Sequence, residues 1–373
     1  MEWKRMIFKT GIMAGLLGAV LFFSMRGFSA DEGRPQPPAI TPAMLDSLQA
    51  LPGGLNALPA VPVPVDNPQS QAKIELGKKL FFDTRLSLDR ASSCATCHSP
   101  EKAFADGLPR ARGFQGALLP RNSPTVLNAA YNTSQFWDGR AATLDEQCKG
   151  PLLAPAEMNM LDEKHLVDRL NSIPGYRQDF QAIFGATPSL DNVARSIAAF
   201  ERTLVTPGSR FDHYAASDKN ALTEQEKRGM IVFIGKGACS ECHKGANFTD
   251  NQFHNLGVIP AHGSPDDPGR YAVTKKEEDR NAFKTPTLRN VMLTGPYMHD
   301  GSIATLEEVV ELYDRGGGDG PNKSKLIYKL NLTAQEKTDL VAFLKALNGD
   351  VPQVHPPQMY PEVFAQSTGA QGR

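Results

Sequence analysis

The chain has 373 residues, with 40 basic and 41 acidic side chains and 40% hydrophobic content. That is enough for one large or two ordinary globular domains, and the balance of apolar and charged residues excludes a disordered, collagenous or coiled-coil protein. Near-neutral charge argues against nucleic acid as a partner, because phosphate binding needs a basic footprint.

Residues 1–30 read as an export signal. Lys4, Arg5 and Lys9 form a basic start, Gly11 to Phe23 is nearly all apolar, and Ser29-Ala30 precedes the polar Asp31-Glu32-Gly33. An apolar run of about thirteen residues suits a signal-peptide core and is short for a membrane span. Cutting after Ser29 puts Gly27 at the −3 position, whereas cutting after Ala30 puts the bulky Phe28 there. An uncleaved anchor is the alternative. In both cases the body of the chain is exported, and the periplasm is the expected location.

Residues 31–70 are Pro-rich without a sustained period and read as an extended N-terminal arm. From Gln71 a helical spacing sets in, with Ile74, Gly77, Leu80 and Phe81 at three- and four-residue steps, and it leads into SCATCHSP at 93–100. Loops follow, through RNSPTVLN, and QFWDGRAATLDEQCKGP comes next. Helices are expected near Glu163–Leu170 and Asp191–Leu204, and Thr206–Asn220 reads as the link between halves. Thr223 and Glu226 form a capping box that opens a helix carrying Met230, Phe233 and Ile234 into ACSECHKG at 238–245. After further loops come FKTPTLRNVMLTGPYMHDGS, a capped helix from Thr305, and a last helix opened by Thr333 and Glu336 that buries Leu340, Phe343, Leu344 and Leu347.

The halves share a plan. Gly77 and Phe81 precede the first Cys cluster as Gly229 and Phe233 precede the second, and each half closes with an amphipathic helix. The expected fold is all-α: one helical unit used twice with extensive loops, spanning 71–210 and 211–350, followed by a polar tail at 351–373.

The haem assignment comes from Cys94-Ala-Thr-Cys97-His98 and Cys239-Ser-Glu-Cys242-His243. C-x-x-C-H is the attachment signature of c-type haem. The two thiols form thioethers with the vinyl groups, and the adjacent His supplies the proximal iron ligand. Zinc is disfavoured because the clusters lie far apart and neither has a second local ligand pair. Paired disulfides would suit an exported chain but leave the His after each pair unexplained. The odd Cys148 reads as a small buried residue.

Around these motifs the sequence resembles the bacterial dihaem cytochrome c peroxidases and their MauG-like relatives, from about Leu76 to Leu347. The resemblance rests on the two haem motifs together with RNSPTVLN (121–128), QFWDGRAATLDEQ (135–147), GPLLAPAEM (150–158), FKTPTLRN (283–290) and GPYMHDGSIATLEE (295–308). It implies that the two helical units are two cytochrome-c-like haem domains, with two covalently bound c-type haems, the N-terminal one reacting with hydrogen peroxide and the C-terminal one handling electrons, and one calcium ion between the domains. His98 and His243 become the proximal ligands, and Trp137 the tryptophan between the haems. Asn122, Thr294 and Pro296 match the calcium ligands. Gln147, Pro151 and Glu157 match the distal pocket, with Glu157 the acid–base residue that moves a proton between the peroxide oxygens.

Two positions divide the family. Many bacterial peroxidases carry an iron-blocking His sixteen residues after the first haem His; here Phe114 stands there and cannot ligate iron. Peroxidases usually place a Met fourteen residues after the His of PYxHDG; here Tyr313 stands there, which matches the axial tyrosine of MauG. A phenolate lowers the potential of the second haem where a thioether raises it; Met298 or Met292 is the alternative ligand. His299 reads as a hydrogen-bonding residue at the haem edge and His254 as structural.

The implied function is a periplasmic dihaem oxidoreductase that reduces hydrogen peroxide with electrons from a cytochrome c or similar small donor protein. The first alternative is MauG-like, peroxide-dependent oxidation of tryptophan or tyrosine side chains in a partner protein. The second is a non-catalytic dihaem electron carrier. A homodimer stays open.

Overall fold

The computed structural model describes residues 40–258 and 266–361. The expected signal peptide, the start of the arm and the last residues of the tail lie outside the described residues. Among the described residues, no helix is long and apolar enough to cross a membrane.

The helices in chain order are α1 (Pro42–Ser47), α2 (Gln71–Phe82), α3 (Cys94–Cys97), α4 (Leu144–Leu153), α5 (Glu163–Asn171), α6 (Pro174–Phe184), α7 (Leu190–Glu201), α8 (Arg210–Ala215), α9 (Glu224–Ile234), α10 (Tyr271–Thr274), α11 (Leu306–Asp314) and α12 (Ala334–Lys345). Among the described residues the sheet content is one antiparallel pair, β1 (Phe253–His254) with β2 (Phe283–Lys284). The capping boxes at Thr223/Glu226 and Thr333/Glu336 are formed as the sequence predicts, and Thr305/Glu308 forms another. Each satisfies backbone N–H groups that a helix start otherwise leaves unpaired.

The apolar side chains collect into two cores, one per half. The first gathers Leu76, Leu80, Phe81, Leu166, Phe180, Ile197 and Phe200, and the second Phe211, Met230, Phe233, Phe248, Leu340 and Phe343. Each is built on one helix crossing, α2 on α7 and α9 on α12. At each crossing a glycine admits the partner's backbone. A Cβ on Gly77 would lie 1.8 Å from the Ser196 carbonyl oxygen, and one on Gly229 would lie 1.9 Å from that of Asp339. One turn further on, Phe81 meets Phe200 and Phe233 meets Phe343, both edge to face at 5.2 Å. The two halves are the same supersecondary unit used twice.

The segments outside the two units pack crosswise. Residues 40–70 hold α1 and a 3₁₀ turn at Pro52–Gly54 in place of an uninterrupted extended arm, and Leu45 and Leu55 are buried in the second core. The fully buried Arg289 fastens this segment, donating to the Asn56 carbonyl at 3.0 Å while paired with Asp212 at 2.9 Å. The other end of the chain returns to the first core, where Tyr360 meets Tyr176 edge to face with ring centroids 5.1 Å apart. The link between halves is itself structured, since α8 buries Phe211 and Tyr214. The predicted helix at Asp191–Leu204 runs Leu190–Glu201, and α4 and α6 form where the sequence reading names no helix.

Candidate functional site

Each CxxCH segment opens a loop beneath the first long helix of its half. The chain then turns back so that the motif histidine meets a nearby carbonyl. His98 Nδ1 lies 3.3 Å from the Phe104 oxygen, and His243 Nδ1 lies 3.0 Å from that of Phe248. With Nδ1 as donor, Nε2 keeps its lone pair for a metal. Burial pushes both imidazoles below the ordinary histidine range, which favours the neutral, ligating form. All five cysteines are free thiols, so neither CxxC pair is a disulfide.

His98, Cys94 and Cys97 line one cavity of about 590 Å³, and His243, Cys239 and Cys242 line a second of about 260 Å³. Two thiols beside one imidazole in a concave site are the donor set that a c-type haem requires, so the residues present fit that group at both places.

The first cavity carries the chemistry-bearing side chains. Thr143 caps α4, whose Gln147 and Pro151, one turn apart, both reach the cavity. The turn after α4 brings Glu157 to the same wall. That turn is pinned by the loop after the first haem motif. A Cβ on Gly113 would lie 1.9 Å from the Ala156 carbonyl, and the Phe114 N–H donates to that carbonyl at 3.0 Å. Phe114 itself does not line the cavity. Burial raises the Glu157 carboxyl above its ordinary value, with the Arg140 guanidinium opposing the shift. The sequence reading missed a second carboxyl here, and this one is buried. Glu201, at the end of α7, is pushed up to about 8 by burial and accepts from the Cys148 thiol at 3.7 Å. No motif marks it, because it reads as an ordinary polar helix end.

Around the second cavity the wall is mainly aliphatic and aromatic, with Leu306, Val310, Leu340 and Leu344 among its members. Tyr313, from α11, lines it, and burial pushes its phenol well above the ordinary tyrosine range. Met298 also lines it, whereas Met292 is exposed and does not. His299 stacks on Phe283 with ring centroids 3.7 Å apart. His254 Nε2 lies 3.0 Å from Asp250 Oδ2, close to Cys242. A cysteine joined to haem does not offer a thiolate, so that trio is the surround of the attachment point.

The internal repeat keeps one register around the cavities. A single offset in residue number relates Asn122 to Lys284, Asn128 to Asn290, Trp137 to His299, Thr143 to Thr305 and Pro151 to Tyr313. The backbone follows it. Asn128 and Asn290 have φ of 60° and 59°, Phe136 and Met298 have 67° and 73°, and Gly139 and Gly301 have 67° and 65°. Positive φ is rare for large side chains, so its recurrence at Phe136 and Met298 marks a true structural repeat. Tyr313 therefore stands in the second half where Pro151 stands in the first.

A shared wall separates the cavities. Asn122, Pro124, Trp137, Lys284 and Pro286 line both. The Trp137 indole donates to the Asn122 carbonyl at 3.0 Å. The Asn122 N–H donates to the His299 carbonyl at 2.7 Å, and the Lys284 N–H donates to the Trp137 carbonyl at 2.8 Å. Thr294 and Pro296 line the second cavity together with Asn122. Asn122 Oδ1 and the carbonyl oxygens of Thr294 and Pro296 accept no hydrogen bond among the described residues. Free hard oxygens are what a calcium ion takes as ligands, so these residues also fit that ion.

The geometry agrees with what the chain is similar to. Residues 71–220 match the di-haem cytochrome c peroxidase family, and residues 226–348 match the cytochrome c family. The chain is 41% identical over 331 residues to the cytochrome-c peroxidase IdrP1 of Pseudomonas sp. (strain SCT), covering 81% of this chain and 87% of that protein. The chain belongs to the di-haem cytochrome c peroxidase family. It is also 40% identical over 323 residues to the methylamine utilization protein MauG of Methylorubrum extorquens, covering 86% of this chain and 91% of that one. Among solved structures, a MauG-like protein associated with microbial copper homeostasis superimposes with a TM-score of 0.72 at 36% identity, over 79% of this chain and 94% of its own. Two cytochrome-c-type domains imply two haems, and the chain is a dihaem oxidoreductase.

Proposed function

We propose that this protein consumes hydrogen peroxide at the His98 cavity and passes oxidising equivalents through Trp137 to the His243 cavity, where a cytochrome c or similar small protein delivers electrons. The periplasm is the proposed location. The observation that carries this reading is the company of Glu157: a half-buried carboxyl with a raised pKa, in one cavity with Gln147, Pro151 and the CxxCH histidine.

When bound, haem supplies iron for peroxide binding and two-electron redox chemistry. Cys94, Cys97, Cys239 and Cys242 would hold the two groups as thioethers, with His98 and His243 as their proximal ligands. Glu157 would take the proton from the inner peroxide oxygen on a carboxylate oxygen and return it to the outer one, which lets that oxygen leave as water once bound haem supplies the two electrons. Its raised pKa suits both acts, because a carboxyl poised nearer neutrality accepts and donates with less penalty. Gln147 orients the peroxide by hydrogen bonding. Pro151 has no N–H to offer and keeps its side of the cavity apolar. Asn122, Thr294 and Pro296 would hold the calcium ion beside the shared wall, fixing the Trp137 loop through the indole bond to Asn122.

A second reading is favoured by Tyr313. It lines the second cavity at the repeat position of Pro151, and as a phenolate ligand it would lower that haem's potential. Such a haem accepts electrons poorly from a mild donor and suits MauG-like oxidation of tryptophan or tyrosine in a partner protein. The two readings separate in one assay, peroxide turnover of the diferric holoprotein with a reduced c-type cytochrome as donor. Sustained cytochrome oxidation supports the peroxidase. Peroxide consumption without cytochrome oxidation supports the MauG-like reading.

A further inference from the structure

Lys284 is a charged side chain that the reaction leaves without a task. It is only 8% exposed and lines both cavities. Its ammonium makes no hydrogen bond or ion pair with any described residue. Asp250 acts on it only at a distance, and burial lowers it to about 8. The other cations of the first cavity are occupied. Arg121 is paired with Asp138 and Asp267, Arg140 is paired with Asp138, and Arg112 donates to the Gly116 carbonyl.

A buried cation without a counter-ion is costly, and such groups persist where an anion completes them. Haem brings that anion with it, because its propionate carboxylates are the charged edge of an otherwise apolar disc. The repeat adds a second constraint. Lys284 occupies the register of Asn122, so the shared wall offers an amide from one half and an ammonium from the other, each backbone held by the opposite half.

We infer that the Lys284 ammonium is the resident counter-cation for haem propionates at the shared wall, acting on both haems. A fixed positive charge favours the reduced, less positive iron and so raises the potential of each haem. The side chain acts through the field it sets up and is a positioning residue.

The inference rests on the two-haem reading, and the test keeps the two apart. Holoprotein carrying Lys284→Gln is compared with wild type by pyridine haemochrome assay and by spectroelectrochemical titration of both haems. Two covalent haems per chain and a lower midpoint potential at both are expected, with Lys284→Arg restoring values close to wild type. Lys284→Met keeps the length and apolar stem of the side chain and carries the same expectation if the glutamine variant fails to accumulate. Fewer than two haems in the wild-type protein would overturn the two-haem reading itself. Two haems in the variant with unchanged potentials, a shift confined to one haem, or an arginine variant shifted as far as the glutamine variant would overturn the role of Lys284.

Discussion

The backbone N–H of Lys284 donates to the carbonyl of Trp137 at 2.8 Å, so the tryptophan of one half is held by the opposite half. The repeat supplies the reciprocal bond from Asn122 to His299 at 2.7 Å. Each half also presses a glycine turn on the other. A Cβ on Gly139 would lie 2.3 Å from Phe253, and one on Gly301 would lie 2.1 Å from the Pro109 carbonyl. The wall between the cavities is thus rigid from both sides, which is what a fixed path for electrons needs.

Trp137→Phe tests that path. The variant keeps the aromatic bulk but loses the indole bond to Asn122 and the readily oxidised ring. A stability loss of about 1 kcal/mol is expected from the missing hydrogen bond, read by thermal unfolding. Electron exchange between the haems, followed by stopped-flow spectroscopy after peroxide is added to half-reduced protein, should slow far more than so small a loss explains. Exchange at the wild-type rate would remove the indole from the path.

Glu157→Gln should keep both haems and slow peroxide consumption by roughly 10²- to 10⁴-fold, the usual worth of a general acid–base residue. Steady-state peroxide assays read this directly. The pH profile carries a sign as well. Glu157 must start as carboxylate to accept the first proton, and its pKa is raised by burial, so the acid limb of kcat/KM lies above the ordinary glutamate value of 4.5. Arg140 lowers that pKa, so Arg140→Gln should move the limb to higher pH. Movement to lower pH would contradict the charge assignment.

Tyr313→Met replaces a hard anionic ligand by a soft neutral one. The potential of the second haem should rise, and its visible spectrum should change to that of a His–Met haem. An unchanged potential and spectrum would show that Tyr313 does not ligate.

Gly77→Ala and Gly229→Ala place a methyl group against rigid backbone at the two helix crossings, with Cβ-to-oxygen distances of 1.8 and 1.9 Å. Each should destabilise the protein by about 1–3 kcal/mol or more, as overpacking does. Because the crossings are equivalent, the two losses should be similar when read by chemical denaturation.

The duplication is legible in the amino-acid sequence, because Gly-x-x-x-Phe ahead of CxxCH occurs twice and capping boxes announce their helices. The haem ligands and the neighbourhood of Glu157 are legible from motifs. Helix α4 is not, because Gly150 and Pro151 lie inside it and weaken any periodic signal. Helix α6 carries readable marks, Pro174 at its first position and Gly185 in left-handed backbone at its end, with Tyr176 and Phe180 one turn apart. The crosswise docking of the two chain ends has no signal, since Leu45 and Tyr360 are single anchors in Pro-rich surroundings. Lys284 and Glu201 go unread because a lone charged residue is most often on the surface, and only tertiary packing buries these two.

In the proposed function two haems are bound covalently and the first is open to peroxide without prior reduction, since Phe114 takes the place of a blocking histidine. Adding stoichiometric hydrogen peroxide to the as-isolated diferric protein, with its haem content fixed by pyridine haemochrome, tests this most directly. Two haems per chain are expected, with a high-spin signal from one of them and rapid peroxide loss accompanied by an immediate spectral change. Two low-spin haems that leave peroxide untouched until a reductant is supplied would contradict it.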